Sequence, residues 1–206
     1  MSRTPNHAAS ADSLAQRIFA RTSHLGRGLL QAGSFLNHRV DTGLMTAIGR
    51  EFARCFELAG IADISLVVTA ETSGIAPALT TAQALGVPMV FARRQRPSTM
   101  VGKYYSATAP SHTKGHSVEL SIAAEFIAAS DRVVVIDDFL GTGQTIQGLL
   151  QLLGKSGCHI CGLGFVLEKV YEGGRTVLTA QGLPVVSLAR LDLDKGQNLV
   201  LLENRL

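Results

Sequence analysis

The chain has few of the features that mark disulfide-rich, membrane-spanning or nucleic-acid-binding proteins. Three cysteines among 206 residues give no disulfide framework, so we expect a reducing, cytoplasmic setting. No run of about 18 apolar residues is present, and we expect no membrane span. A net charge of +3 is too small to indicate a nucleic-acid surface. With 46% hydrophobic and 17% charged residues, the sequence instead predicts a large buried core.

The N-terminus lacks the apolar segment of a signal peptide. Residues 1–12 are polar and small, so we expect a disordered tail, followed by a single domain over residues 13–206. Cys158 and Cys161 have the spacing of a redox or metal pair. They fall between a predicted helix and a predicted strand, with no second ligand pair elsewhere, and this favours packing residues.

Hydrophobic periodicity predicts alternating helices and strands. Apolar stripes indicate helices at 42–59, 75–85 and from 146 onward, and short apolar runs indicate strands at 64–69, 87–92, 133–136, 160–168 and 184–189. This alternation predicts an α/β fold, with a central, mostly parallel sheet flanked by helices. Residues 118–122 alternate between apolar and polar, which favours a strand paired with 102–108 over a helix spanning 117–129.

The most informative segment is residues 133–145, Val-Val-Val-Ile-Asp-Asp-Phe-Leu-Gly-Thr-Gly-Gln-Thr. A buried strand ends in two carboxylates, Asp137 and Asp138, and a loop of Gly141, Thr142, Gly143, Gln144 and Thr145 leads into a helix. Glycines admit an anion close to the backbone, and the helix N-terminus favours negative charge. The carboxylates suit vicinal hydroxyls or a divalent cation, so the segment predicts a site for a phosphorylated ribose. A plain strand–helix turn with capping acids is the simpler alternative, and a P-loop matches less well.

This segment resembles the phosphoribosyl diphosphate (PRPP) motif of type I phosphoribosyltransferases. The resemblance implies that family's fold with a flexible hood, and PRPP bound with Mg²⁺ that the substrate itself mainly holds. It also implies that Thr72, Ser73 and Gly74 bind the diphosphate end, although an ordinary capping turn is the alternative there. Arg93 or Arg94 is expected to reach a diphosphate, in this family often that of a neighbouring subunit. The basic segment 93–116 is expected to form a lid with Tyr104–Ser106 at its tip.

Further blocks are similar to the bacterial xanthine phosphoribosyltransferases. They include residues 33–38, 71–77, 87–93, 167–169 and 187–190, in the order that this family has them. The resemblance implies a homodimer, xanthine as the purine substrate, and a base-binding hood at about 13–40. Matched by motif, Leu30, Asn37 and Lys169 would hold the base. Several family members carry Ala-Asn where this chain has Gly141-Thr142, so the loop of this chain is closer to the general type I pattern.

Two other functions fit the sequence less well. One is a PRPP-sensing regulator that binds nucleic acid, which the low net charge disfavours. The other is a phosphoribosyltransferase for guanine, hypoxanthine or adenine. An ammonium at Lys169 favours a base with an oxygen at position 6, and Asn37 offers both a donor and an acceptor to a 2-oxo edge.

Overall fold

A six-stranded sheet forms the centre of the computed structural model, which describes residues 14–110 and 117–203. In spatial order its strands are β10 (Leu199–Leu202), β9 (Val185–Leu193), β8 (His159–Lys169), β7 (Arg132–Leu140), β3 (Leu66–Ala70) and β4 (Met89–Ala92). The strands from β9 to β4 are parallel, as predicted, and β10 is antiparallel to β9. The strand β10 was missed, although the polar turn at 194–198 between two apolar runs is typical of a hairpin.

Helices cover both faces of this sheet. In chain order they are α1 (residues 14–19), α2 (Thr42–Leu58), α3 (Ile75–Leu85), α4 (Gln144–Gly154) and α5 (Gly174–Thr179). Asp41 caps α2, because its side chain accepts a hydrogen bond from the Leu44 N–H at 2.9 Å. No helix in the described part of the chain has the length and apolar character needed to span a bilayer.

The alternation of side chains along β7 divides the core into two layers. Val134 and Ile136 pack with α2 on one face, while Val133 and Val135 pack with α4 on the other. Cys161 is buried in the first layer and Cys158 packs against the second, and burial raises the pKa of both thiols. Both cysteines are therefore packing residues, as predicted.

A β-hairpin lies beside the sheet, formed by β5 (Tyr104–Pro110) and β6 (Ser117–Ala123). The strand prediction for residues 118–122 is confirmed, and the helix alternative is wrong. Ala107 is buried, and Lys155 at the end of α4 donates to the Ser106 carbonyl oxygen. Tyr104–Ser106 lie at the start of β5 and pair with residues 121–123 of β6, so they belong to the ladder of the hairpin and do not form a lid tip. The predicted tail at 1–12 and residues 111–116 lie outside the described residues.

The N-terminal part of the domain forms irregular structure above the sheet. It consists of α1, a two-stranded ribbon of β1 (Ser23–His24) and β2 (Leu30–Gln31), and a π-helical turn at Gly33–Asn37. Ile18, Phe35 and Leu36 anchor this part because their side chains are buried in the core. In the turn between the two ribbon strands, Arg27, Gly28 and Leu29 share a pocket with residues at the carboxyl ends of β3, β7 and β8.

Candidate active site

A cleft of about 430 Å³ opens at the carboxyl ends of β3, β7 and β8, where ligands of parallel sheets bind. It is lined by three segments that the sequence analysis singled out, namely the acid pair, the glycine-rich loop and the turn after β3. Its lining residues are Arg27–Leu29, Ala70–Ser73, Arg94, Asp137–Phe139, Gly141–Ile146, Lys169 and Glu172.

The two acids lie at the point where β3 and β7 separate. The ladder between these strands covers only Leu66–Val68 and Val133–Val135, after which β7 continues beside β8 alone. Asp137 and Asp138 therefore belong to the last part of β7, on the side that β3 no longer covers. The separation exposes both carboxylates to the cleft, although Asp137 is buried and Asp138 half-buried.

Burial raises the pKa values of both acids of this pair. It raises the pKa of Asp137 well above the ordinary value, and the neighbouring charge of Asp138 raises it further. Burial also raises the pKa of Asp138. Asp137 Oδ1 accepts a hydrogen bond from the Asp138 N–H at 2.9 Å, and Arg94 opposes both shifts through its charge. A positive charge, a metal ion or a hydroxyl donor placed in the cleft would therefore stabilise the charged form of the pair.

The predicted phosphate loop has the expected form. Residues Gly141–Thr145 all line the cleft, and α4 begins at Gln144 with Gly143 as its N-cap residue. Gly143 has φ +81°, a conformation that favours glycine. Gly174 supports the loop from behind, since its N–H donates to the Gly141 carbonyl oxygen at 3.1 Å. A Cβ atom on Gly174 would lie 2.1 Å from that oxygen, so the loop needs glycine there.

The turn after β3 forms the opposite wall. Thr72 and Ser73 line the cleft as predicted, while Gly74 lies behind them as the first residue before α3. The N-cap residue of α3 is Gly74, which has no side chain to accept a hydrogen bond, so neither Glu71 nor Ser73 occupies the cap position of the alternative interpretation. The peptide bond between Glu71 and Thr72 is cis.

The two neighbouring arginines face different surfaces. Arg94 lines the cleft, donating from its backbone N–H to Glu71 Oε1 at 2.6 Å and from Nε to the Glu71 carbonyl oxygen at 2.7 Å. Arg93 lies 3.0 Å from Glu71 Oε2, stacks over Phe91 and lines a separate groove. Of the two alternatives for a diphosphate-binding arginine, only Arg94 therefore lies in the cleft of its own chain.

Lys169 ends β8 and brings an ammonium group into the cleft. Its Nζ lies 3.0 Å from Glu172 Oε1 and 5.9 Å from the centre of the Phe139 ring. Behind it, buried Glu168 accepts hydrogen bonds from Arg175 at 2.7–3.0 Å. Burial acts to raise the pKa of Glu168, but hydrogen bonds and charge from Arg175, with Ser187 and Arg190, together lower it. This ionised network fixes the end of β8 that carries Lys169.

The other two residues matched to a base site do not line the cleft. Leu30 lies in β2 and packs against the core, and Asn37 is exposed at the end of the π-helical turn. Instead, Arg27, Gly28 and Leu29 reach the cleft from the turn before β2. The Tyr171 hydroxyl holds this turn by donating to the Gly28 carbonyl oxygen at 2.9 Å. The predicted hood at 13–40 thus meets the cleft through residues that motif matching missed.

The cleft suits a magnesium ion that arrives with its substrate. Within the described residues, no group of three or more His, Cys, Asp or Glu side chains is placed to hold a metal. Asp137 and Asp138 offer two adjacent carboxylates, and Mg²⁺ in proteins is commonly bound by one or two carboxylates together with substrate phosphates. The donors present therefore fit Mg²⁺ carried by a diphosphate.

Comparison with known proteins identifies close relatives in sequence. The family described as phosphoribosyl transferase domain matches residues 43–176. The chain is 43% identical over 190 residues to a xanthine phosphoribosyltransferase of Streptococcus agalactiae. The matched region covers 92% of this chain and 97% of that protein. The chain is 44% identical over 189 residues to one from Deinococcus deserti, covering 91% and 96% of the two chains.

Solved structures agree on the fold. An adenine phosphoribosyltransferase from Thermoanaerobacter pseudethanolicus superposes with a TM-score of 0.69 at 21% identity, covering 85% of this chain and 99% of that one. The enzyme from Trypanosoma brucei gives a TM-score of 0.71 at 17% identity, covering 89% and 82%. At these identities the likeness concerns the fold alone.

Proposed function

This chain belongs to the phosphoribosyltransferase family, and we propose that it joins xanthine to the phosphoribosyl group of PRPP, giving xanthosine 5′-monophosphate and diphosphate. The observation that carries the proposal is the placement of Lys169 in the same cleft as the acid pair and the phosphate loop. An ammonium favours a 6-oxopurine that is readily deprotonated, and it disfavours the 6-amino group of adenine. The xanthine phosphoribosyltransferases at 43–44% identity support the same base.

Different walls of the cleft bind different parts of the two substrates in this proposal. In the proposed complex, backbone N–H groups of Gly141–Thr145 and the α4 N-terminus hold the 5′-phosphate. Thr72, Ser73 and Arg94 hold the diphosphate, and Asp137 and Asp138 accept hydrogen bonds from the ribose hydroxyls. Lys169 binds the 6-oxo edge of the base. We expect Arg27–Leu29, rather than Leu30 and Asn37, to contact the base from the hood, because those residues reach the cleft.

The reaction follows from this placement. N9 of xanthine bonds to C1′ as the bond from C1′ to the diphosphate oxygen breaks, and N9 loses its proton. Positive charge develops on the ribose in the transition state, next to the two carboxylates, which stabilise it electrostatically. Burial raises the pKa of Asp138, and a carboxylate with a higher pKa is a stronger proton acceptor. Mg²⁺ on the diphosphate would neutralise charge that accumulates on the leaving group.

A movable cover over the cleft is part of the proposal. Residues 93–103 connect β4 to the hairpin, and their exposed side chains include Val101 at 80% exposure. Few buried apolar contacts hold this connection, which permits a lid motion. Amide hydrogen exchange over residues 93–116 should slow when ribose 5-phosphate and xanthine are both bound. Unchanged exchange would remove the lid from the mechanism.

We also propose that the enzyme works in the cytoplasm as a homodimer. The three cysteines are free, which suits a reducing compartment. The groove beside β4, lined by Met89, Phe91, Arg93 and Phe126 among others, exposes 58% of Phe126 and offers an apolar surface for a second copy. Light scattering should give twice the chain mass, and a single-chain mass at micromolar concentration would reject the dimer.

A panel of four bases tests the proposed reaction directly. Purified protein is incubated with PRPP, Mg²⁺ and either xanthine, guanine, hypoxanthine or adenine, and nucleotide formation is followed by chromatography. We expect the highest kcat/KM with xanthine and no measurable product with adenine. A higher kcat/KM for guanine or hypoxanthine would correct the substrate, and no nucleotide from any base would reject the transferase.

A further inference from the structure

One short segment touches three parts of the cleft. It begins at Lys169 and continues through a 3₁₀ turn at Val170–Glu172 to Gly174. Lys169 carries the ammonium at the base end, Tyr171 holds the hood turn at Gly28, and Gly174 supports the phosphate loop at Gly141. Three contacts with the cleft are therefore made by the six consecutive residues 169–174.

Glu172 sits between the phosphate loop and the base end. Its Oε1 is 3.0 Å from Lys169 Nζ, and these side chains are 24% and 18% exposed. Its Oε2 lies against the phosphate loop, since a Cβ atom on Gly141 would be 2.4 Å from it. The carboxylate thus occupies the flank of the phosphate loop while it neutralises the base-binding ammonium.

This double contact places Glu172 in competition with both substrates. A phosphate on Gly141–Thr145 brings negative charge next to the Glu172 carboxylate, and the repulsion between like charges is strong in a half-buried cleft. A 6-oxopurine must displace the same carboxylate before it can bind Lys169. Phosphate binding that pushes Glu172 away from Gly141 therefore frees Lys169 for the base.

We propose that Glu172 is a positioning residue that couples occupancy of the phosphate loop to base binding at Lys169. In the free protein its carboxylate neutralises Lys169, and a bound 5′-phosphate repels it and releases the ammonium. This inference rests on the proposed function for the identity of the base. Its core is a thermodynamic coupling between two sites, so each ligand must raise the affinity of the other by the same factor.

Calorimetry with ribose 5-phosphate and xanthine measures this coupling without turnover, because ribose 5-phosphate has no diphosphate to lose. The coupling factor is the Kd of xanthine alone divided by its Kd with ribose 5-phosphate bound. We expect a factor of about ten for the parent protein, within the usual range for coupled sites. In Glu172→Gln, ribose 5-phosphate and xanthine should each bind several-fold more tightly alone, and the factor should fall toward one.

Two variants make the result specific to the carboxylate. Glu172→Asp keeps the charge and should retain most of the coupling. If the glutamine variant folds poorly, the aspartate variant still shows whether the coupling depends on the carboxylate being held at its native length. Glu57→Gln removes a carboxylate from α2, far from the cleft, and should leave the factor unchanged.

The outcomes separate the inference from the proposed reaction. A parent-like coupling factor in Glu172→Gln overturns the inference, and so does weaker binding of both ligands, which would make Glu172 a structural support. The base panel judges the reaction independently. If the parent protein makes no xanthosine 5′-monophosphate, the proposed function fails, while the tighter binding of ribose 5-phosphate by Glu172→Gln still tests the phosphate contact.

Discussion

The carboxylate of Asp137 lies directly against Gly74. A Cβ atom built on Gly74 would be 2.7 Å from Asp137 Oδ1 and 2.2 Å from Thr69 Oγ1, and real Cβ atoms do not approach so closely. Gly74 has φ −70°, so its backbone conformation does not require glycine. Glycine is needed at this position because the side chains of Thr69 in β3 and Asp137 in β7 both pack against it.

The first prediction concerns this contact. Gly74→Ala should lower kcat/KM at least tenfold, since overpacking of this kind typically costs about 1–3 kcal/mol and here it displaces Asp137. Gly154→Ala is the matched control, because the space around Gly154 in α4 is open. Steady-state kinetics on both variants and the parent measure kcat/KM, which should fall only in Gly74→Ala. Equal activity in Gly74→Ala and the parent would mean that Asp137 can shift without loss.

Much of the fold and half of the site could be predicted from sequence because the signals are local. The apolar run at 133–136 followed by two acids and a glycine-rich loop predicted β7, the acid pair and the start of α4. Lys169 was placed in the cleft by motif, and the parallel topology brings the ends of β3, β7 and β8 together.

The remainder depends on tertiary contacts that no local pattern encodes. The cleft exists because the β3–β7 ladder stops at Val68 and Val135, and register cannot be read from periodicity. The hood reaches the cleft through Gly28 because Tyr171, 143 positions away, holds it. Glu172 also escaped notice, although an acid three residues after a candidate ligand lysine is a signal for a local ion pair.

The second prediction separates activity from stability at Asp137. Asp137→Asn should reduce turnover at least about a hundredfold, because one electrostatic contact to a transition state is worth roughly 3 kcal/mol. The same change should stabilise the free protein at pH 8, raising Tm by about 2–4 °C if roughly 1 kcal/mol of burial penalty is removed. Asp137 would thus be needed for activity although it destabilises the folded protein.

The pH dependence of this stabilisation follows from the raised pKa of Asp137. A carboxyl whose pKa is higher in the folded state contributes stability below its unfolded pKa and loses it as pH rises through the folded pKa. The Tm advantage of Asp137→Asn should therefore shrink as pH falls toward 4. Asp194 is the opposite control, because hydrogen bonds from Asn198 lower its pKa, so Asp194→Asn should lower Tm at neutral pH. Calorimetric scans that give Asp137→Asn a lower Tm at pH 8 would refute the burial argument.

The third prediction concerns the contact between Tyr171 and the hood. Burial raises the pKa of Tyr171 to about 12, so its hydroxyl stays a donor to Gly28 at all ordinary pH values. Tyr171→Phe keeps the ring and removes this hydrogen bond, which is worth about 1 kcal/mol. Hydrogen exchange over residues 25–30 should speed up and KM for xanthine should rise about fivefold. An unchanged KM would show that the hood turn does not need this contact.

The fourth prediction concerns Lys169, which ends β8 within the same cleft as the phosphate loop. Lys169→Ala should lower kcat/KM for xanthine by about 30- to 150-fold, equivalent to the loss of a charge-assisted hydrogen bond worth roughly 2–3 kcal/mol. The Kd of PRPP should stay nearly intact, because in the proposed complex Gly141–Thr145, and not Lys169, hold the phosphate. Steady-state kinetics with xanthine and calorimetry with PRPP measure the two quantities.

Lys195→Ala is the matched control for the loss of one positive charge. Lys195 is an exposed lysine in the turn before β10, so its substitution removes the same charge at another position. This control should match the parent in both measurements. If xanthine use and PRPP affinity fall together in Lys169→Ala, the lysine supports the phosphate site or the fold. If neither falls, the base does not contact Lys169, and the preference for a 6-oxopurine must come from the hood residues Arg27–Leu29 of the same cleft, whose substitution would then be the deciding experiment.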